Sequence, residues 1–265
     1  MDLGLNGLGA VVTGASKGLG LATALQLLRE GAHVVINSRS ETHLRAASDL
    51  LHKEGFTASQ FAFIAGDVSD PIFCENLANQ AKQVLGSLDI LITNSGGPPP
   101  GTFEHVDQAQ WENAIDLSFN SHRYLISQFL PYLKKSPFPS VLAVTSFTVK
   151  YPLDNLILSN TVRAATAALI KSLSIELGPI GIRFNSILPG WTLTDRVQQL
   201  LDSRAATNQT SADVELKKIT DSIPLRRLGK PEEFARVAAF LVSPAASYVN
   251  GVLLNVDGGI TRGLF

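Results

Sequence analysis

The chain has almost no cysteine and almost no net charge, and each absence excludes a class of protein. Cys74 is the single cysteine among 265 residues, so no internal disulfide can form, which favours a reducing, intracellular compartment. The 22 lysines and arginines nearly cancel the 23 aspartates and glutamates, leaving a net charge of −1. Such a balance offers no electrostatic attraction for nucleic acid or for an anionic membrane.

Long apolar runs are also missing. Residues 1–14, MDLGLNGLGAVVTG, contain no basic region followed by a long apolar run, so we expect no secretory signal. No stretch reaches the roughly 18 apolar residues that a transmembrane helix requires. We therefore expect a cytoplasmic protein with no membrane or nucleic-acid partner, and we assign no metal ligands.

What the chain does contain is an alternation of short apolar runs and amphipathic stretches. The runs lie at 9–14, 33–38, 61–66, 88–94, 140–146, 182–188 and 252–256, and they are nearly continuous, as in strands buried on both faces. Helical patterns lie between them at 18–30, 41–54, 71–85, 108–135, 155–178 and 231–242. Gly31, Gly55, Gly86 and Gly178 lie where these helices should end. The pattern predicts an α/β fold: one Rossmann-like, doubly wound parallel sheet of about seven strands with helices on both faces.

We find no linker that would divide residues 1–265 into two domains. Segment 191–224 differs from the rest because it is polar and its apolar periodicity is weak. It follows the sixth predicted strand, and we expect it to be a mobile region that covers the substrate.

A glycine-rich loop joins the first strand to the first helix. In VVTGASKGLGLATALQLL, residues 11–28, the glycines follow the spacing Gly-x-x-x-Gly-x-Gly. Glycine lets the backbone turn sharply and approach a pyrophosphate, which then rests on the amino terminus of the helix. The loop therefore predicts a dinucleotide site.

Several motifs now resemble one known family, the short-chain dehydrogenases/reductases. They are TGASKGLG (13–20), GDV (66–68), NSGG (94–97), PGWTLTD (189–195) and the segment 229–259. The resemblance covers nearly the whole chain in order and looks strongest for the branch that includes 3-oxoacyl carrier-protein reductases. It implies a nicotinamide cofactor and a small-molecule carbonyl or alcohol substrate.

The resemblance also implies which residues contact the cofactor. They are Gly14, Ser16, Lys17, Gly18, Leu19, Gly20, Asn37, Arg39, Asp67, Val68, Asn94, Gly96, Arg163, Pro189, Gly190, Thr192 and Thr194. NAD-binding proteins of this fold place an acid near the end of the second strand, where it bonds the ribose 2′-hydroxyl. Here that position is Asn37, followed by Arg39, and Lys17 lies in the glycine loop. Two cations without the acid favour NADP(H) over NAD(H).

The catalytic residues that the family implies are mostly replaced. The family uses a serine, a tyrosine, a lysine four residues after it, and an asparagine on the preceding long helix. Ser146 matches the serine, but Ser159 and Arg163 stand at the tyrosine and lysine positions, and Ser118 at the asparagine position. Arginine keeps a positive charge, whereas a serine hydroxyl is a far weaker acid than a phenol. Loss of a positioned acid typically costs about 10²–10⁴ in rate.

Two other side chains are candidates for the missing acid. Tyr151 follows Ser146 by five residues, and His122 lies one helical turn beyond Ser118. Two functions therefore remain open. One is an NADP(H)-dependent oxidoreductase with a non-standard active site. The other is an NADP(H)-binding protein with little or no activity that acts as a cofactor-gated binding or regulatory subunit.

The resemblance also implies self-association. In this family the two long helices, here 108–135 and 155–178, usually pack against a partner subunit. Ala164, Ala165, Ala167 and Ala168 would allow close approach, so we expect a homodimer or a homotetramer.

Overall fold

Seven parallel strands form the centre of the structure, a computed structural model that describes residues 1–264. Phe265, the last residue of the predicted domain, lies outside the described residues. The strands are β1 (Gly9–Val12), β2 (His33–Ser38), β3 (Phe61–Ala65), β4 (Ile90–Thr93), β5 (Ser140–Val144), β6 (Arg183–Pro189) and β7 (Leu253–Val256). Their order in the sheet is β3-β2-β1-β4-β5-β6-β7, and every neighbouring pair is parallel. The predicted doubly wound sheet is confirmed.

Helices cover both faces of the sheet. They are α1 (Gly18–Arg29), α2 (Glu41–Lys53), α3 (Pro71–Leu85), α4 (Gln108–Ile115), α5 (Ser121–Leu133), α6 (Ile157–Glu176), α7 (Asp195–Asn208), α8 (Ala212–Ser222) and α9 (Pro231–Val242). The predicted helix 108–135 is divided by a single π turn at Asp116–Asn120. None of the helices within residues 1–264 is long and apolar enough to cross a bilayer.

The two faces of β1 show how the sheet builds two cores. Alternate side chains of a strand point to opposite faces. Val12 packs in the core that contains residues of α1 and α9, whereas Val11 packs in the core that contains residues of α3 and α5. Cys74 lies in the second core. Burial, together with the carboxylates of Asp70 and Asp67, raises the pKa of its thiol to about 12.

Segment 191–224 contains α7 and α8, although its apolar periodicity is weak. These helices pack in a separate small core. Trp191, Val197, Leu201 and Ile219 of the segment are buried there together with Leu228, which follows it. Packing against Phe147, outside the segment, completes this core. Tertiary contacts therefore determine these helices more than their local pattern does.

The topology fixes where a ligand can bind. Because all seven strands are parallel, their carboxyl ends meet at one edge of the sheet. The strand order reverses between β1 and β4, and doubly wound sheets bind ligands in the crevice at such a reversal. The turn after β1 lies against Asn94, which follows β4: the Asn94 Nδ2 donates to the carbonyl of Gly14 over 3.1 Å.

Two positions of this turn, Gly14 and Gly20, leave no room for a side chain. Gly14 has a φ of 57°, and a Cβ at Gly20 would lie 2.3 Å from the backbone oxygen of Gly14. The amino-terminal end of α1 therefore packs directly on the end of β1.

We predict that Gly20→Ala destabilises the protein by about 1–3 kcal/mol, toward the upper end of the range for overpacking, because a backbone oxygen cannot rotate away. Urea denaturation would measure the change. Gly96→Ala is the control, since the nearest atom to its added Cβ is 4.0 Å away. Equal stability of the Gly20→Ala variant and the wild type would show that the turn can relax.

Candidate active site

A cleft of about 480 Å³ opens at the carboxyl edge of the sheet. It is lined by the turn after β1, the loops after β4, β5 and β6, the first half of α6 and the first turns of α7. The loops that follow neighbouring parallel strands thus enclose one space, as the topology requires.

The glycine loop forms a cradle that fits a dinucleotide. Gly14 and Gly18 both have a φ of 57°, and Lys17, Gly18 and Leu19 line the cleft. The N-cap residue of α1, Lys17, makes no side-chain hydrogen bond to the first turn of the helix. The first backbone N–H groups of α1 are therefore available to an anion such as a pyrophosphate.

Two of the predicted cofactor residues, the cations Lys17 and Arg39, line the cleft, and each lies beside a carboxylate. Lys17 pairs with Asp195 over 3.0 Å, and Arg39 lies 3.8 Å from Asp67. All four side chains are substantially exposed, and exposed ion pairs contribute only about 0–1 kcal/mol. The two cations can therefore exchange these carboxylates for a phosphate at small cost.

The predicted cofactor residue Asn37 lies near the end of β2. It is buried, and its Nδ2 donates to the carbonyls of Ile64 and Gly66, which ties β2 to β3 and the residue after it. It does not line the cleft. The Asn37 amide therefore has a role within the sheet, and its contact with the cofactor stays a prediction.

The other predicted cofactor residues divide into two groups. Those that line the cleft are Gly14, Lys17, Gly18, Leu19, Arg39, Asn94, Gly96, Arg163, Pro189, Gly190, Thr192 and Thr194. Ser16, Gly20, Asp67 and Val68 do not line it. Ser16 donates to the Ser38 hydroxyl, and Asp67 accepts from the backbone and hydroxyl of Ser69.

Ser146 and Ser159 both face the cleft. The Ser146 Oγ accepts hydrogen bonds from the backbone N–H and the hydroxyl of Thr148, at 3.2 and 3.0 Å. Its own proton is then free to be donated to a ligand oxygen. Within residues 1–264 the Ser159 Oγ has no hydrogen-bond partner that would make it more acidic.

Arg163 is buried at the bottom of the cleft. Its NH1 donates to the carbonyls of Val144 and Thr145, at 3.3 and 3.0 Å, and its NH2 donates to the carbonyl of Gly96 at 3.3 Å. Burial, and then the charge of Arg196, lowers its pKa to about 10, so it remains positive at neutral pH. Two of its five N–H groups remain for a ligand.

The remaining candidate donors lie away from the cleft lining. Ser118 is fully buried, and its Oγ has no partner among the described residues. Tyr151 is 42% exposed and does not line the cleft, so the structure does not support it as the proton donor. His122 is buried, and its Nδ1 lies 2.7 Å from the Thr93 hydroxyl.

His122 is poorly suited to donate a proton at neutral pH. Burial, and then the charge of Arg163, lowers its pKa to about 3. The imidazole is therefore neutral at neutral pH and does not supply a readily lost proton.

Sequence reasoning missed part of the cleft. Arg196, on the first turn of α7, lines it and donates to the carbonyl of Pro98 over 2.8 Å. Leu153, Leu156, Trp191 and Leu200 add apolar walls. The sequence feature that could have indicated Arg196 is its position: it is a charged residue immediately after the PGWTLTD loop, in the segment expected to cover the substrate.

The fold and this cleft have the geometry of a dinucleotide-binding α/β oxidoreductase. A family model described as Enoyl-(Acyl carrier protein) reductase matches residues 14–261. The chain belongs to the short-chain dehydrogenase/reductase family.

Two relatives are similar to this chain over nearly its whole length. The NADPH-dependent reductase BacG of Bacillus subtilis (strain 168) is 30% identical over 256 residues, which are 96% of this chain and 98% of BacG. A 7alpha-hydroxysteroid dehydrogenase structure with NADH and a 7-oxo bile acid superposes with a TM-score of 0.89 at 30% identity, covering 100% of this chain and 98% of that one.

A third relative is of interest for its catalytic center. It is a short-chain oxidoreductase of Pseudomonas aeruginosa PAO1, solved with NADPH bound, whose catalytic center is atypical. It is 32% identical with a TM-score of 0.87 and covers 96% of each chain. All three relatives are oxidoreductases, two of them with NADPH and one with NADH.

We predict that His122 makes stability depend on pH. Its folded pKa of about 3 lies below the value of about 6.5 in the unfolded chain, so between these values the unfolded state binds more protons. Stability from this group is complete above pH 6.5 and falls by about 1.4 kcal/mol per pH unit below it.

Urea denaturation of wild type and His122→Gln between pH 7.5 and 5 would measure this slope, which the substitution should reduce. His43→Gln, at an exposed histidine of α2, is the matched control and should keep the slope. Parallel slopes for wild type and His122→Gln would contradict the prediction.

Proposed function

We propose that this protein catalyses the NADP(H)-dependent interconversion of a carbonyl and an alcohol through a non-standard active site. The observation that carries the proposal is that one cleft contains the glycine cradle together with Ser146, Ser159 and Arg163. The described cofactor-site geometry and the relatives' activities support the same function.

When bound, the nicotinamide supplies or accepts the hydride. Ser146 positions the reacting oxygen, because its Oγ already accepts two hydrogen bonds from Thr148 and its proton is left to donate. A donor fixed in this way favours the transition state, in which the oxygen gains negative charge.

Arg163 takes the role of the family's lysine, and Ser159 part of the role of its tyrosine. Arg163 holds the ends of β4 and β5 together and keeps a positive charge beneath the reacting oxygen. Ser159 is too weak an acid to replace a phenol and instead holds a water molecule that delivers the proton. The positive field of Arg163 stabilises the alkoxide until that proton arrives.

The second candidate is an NADP(H)-binding protein with little or no catalytic activity, a binding or regulatory subunit. The absence of any hydrogen-bond partner of the Ser159 Oγ within residues 1–264 favours it, since no group there activates the hydroxyl. In this case the cofactor would bind tightly without turnover.

We also propose that the protein forms a homodimer or homotetramer through α4, α5 and α6. Ala165, Ala168 and Ser172 form an exposed row of small side chains along α6, whereas Ala167 is buried. Light scattering that shows a monomer would overturn this proposal.

We predict that NADPH oxidation, followed by absorbance, is detected with members of a broad panel of carbonyl compounds. Ser146→Ala should lower kcat by about 10²–10³, as the loss of an oxyanion donor does. Ser159→Ala should lower kcat while the Kd for NADPH is unchanged. Ser247→Ala, at an exposed serine that does not line the cleft, is the control. Tight NADPH binding with no turnover on the panel would instead establish the second candidate.

We predict that NADPH binds more tightly than NADH. Lys17→Ala and Arg39→Ala should each weaken NADPH binding about 10-fold, the effect of one charge-assisted hydrogen bond, and leave NADH affinity nearly unchanged. Lys53→Ala, at an exposed lysine of α2, is the control. Calorimetric titration would give the constants, and tighter NADH binding would refute the NADP(H) assignment.

A further inference from the structure

Two arginines converge on Gly97, in the loop after β4. A Cβ placed on Gly97 would lie 3.4 Å from the NH2 of Arg196 and 3.7 Å from the NH2 of Arg163. Both guanidinium groups line the same cleft and thus border one small volume beside this loop. The two side chains come from different helices, α6 and α7.

No carboxylate neutralises this pair. Within residues 1–264 neither Arg163 nor Arg196 takes part in an ion pair. Asp195 is the one acid among the residues that line the cleft, and it is paired with Lys17. Burial and the neighbouring charge lower the pKa of Arg163, which shows that the two cations affect each other.

Two like charges held close together in a partly buried site are unfavourable. Carbonyl groups of Val144, Thr145, Gly96 and Pro98 provide hydrogen bonds but no net negative charge. An anionic ligand would remove the repulsion. Arg196 uses one N–H on Pro98, so its remaining donors can hold a carboxylate in the two-bond geometry that guanidinium favours.

The cleft also has large apolar side chains in its lining. Leu153, Leu156, Trp191 and Leu200 line the same cleft as the two arginines, and the Arg204 guanidinium lies 5.0 Å from the centre of the Trp191 ring. A ligand that fits these surroundings has an apolar body and one anionic group.

We propose that the substrate is a carbonyl compound that carries a carboxylate, and that Arg196 binds this carboxylate while Ser146 positions the carbonyl oxygen. This proposal rests on the proposed function. In the reductive direction the carbonyl carbon gains a hydride from NADPH, which is released as NADP⁺, and the oxygen gains a proton. The carboxylate is unchanged, so an oxo acid becomes a hydroxy acid.

The experiment uses 2-, 3-, 4- and 5-oxohexanoate together with their methyl esters, since the distance between carbonyl and carboxylate is the variable. Calorimetric titration measures the binding of each compound to the NADPH-saturated protein, and NADPH absorbance measures turnover. At least one acid should bind roughly 10–100-fold more tightly than its ester, as expected for hydrogen bonds between charged groups.

Arg196→Gln should remove this preference by weakening the binding of the acid alone, and Arg196→Lys should keep part of it. The Kd for NADPH should stay within about two-fold in both variants. Arg236→Gln, at an exposed arginine of α9, is the matched control and should change neither constant. Circular dichroism confirms that each variant is folded.

The outcomes separate the two proposals. Binding of an acid that depends on Arg196, without turnover, supports the anionic site and overturns the proposed activity. Turnover of acids and esters with equal affinity keeps the activity and overturns the anionic site. In a third outcome, Arg196→Gln weakens the binding of NADPH as much as that of the acid. This result would show that Arg196 serves the cofactor's phosphates, and it would overturn the inference.

Discussion

The positive charge of Arg163, buried beneath the cleft, is the interaction on which the site depends. Its guanidinium joins the carbonyl of Gly96, which follows β4, to those of Val144 and Thr145 at the end of β5. These strands are neighbours in the sheet, so one side chain fixes the relative position of two loops that line the cleft. Burial, and then this same charge, lowers the pKa of His122 and keeps the imidazole neutral.

This arrangement suggests a site that relies on electrostatics more than on proton donation. A phenol beside a lysine delivers a proton as the hydride arrives, whereas Ser159 beside Arg163 offers no comparable acid. In the proposed reaction a fixed cation and the Ser146 hydroxyl still stabilise negative charge on the reacting oxygen. In the proposed reaction, alkoxide formation is therefore supported by the protein and protonation is left to water.

The sequence predicts the sheet well because buried parallel strands need apolar runs, and β2, with the predicted bounds 33–38, illustrates this. It also places Ser159 and Arg163 at the cleft, since helix α6 continues without interruption from one to the other. It does not reveal that the Asn37 Nδ2 would donate hydrogen bonds to the carbonyls of Ile64 and Gly66. Nor does it reveal Arg196, whose partner Pro98 is 98 residues away and whose helix has only weak apolar periodicity. Both depend on which distant backbone groups the fold brings near.

The burial of Cys74 in the core beside α3 has a practical consequence. Its thiol remains protonated at any pH at which the protein is handled, and a protonated thiol is a poor nucleophile. A cysteine introduced at an exposed position would then be the one readily modified thiol among the described residues. A spectroscopic reporter attached on the exposed side of α7 would respond to the surroundings of that helix without any need to remove the native cysteine.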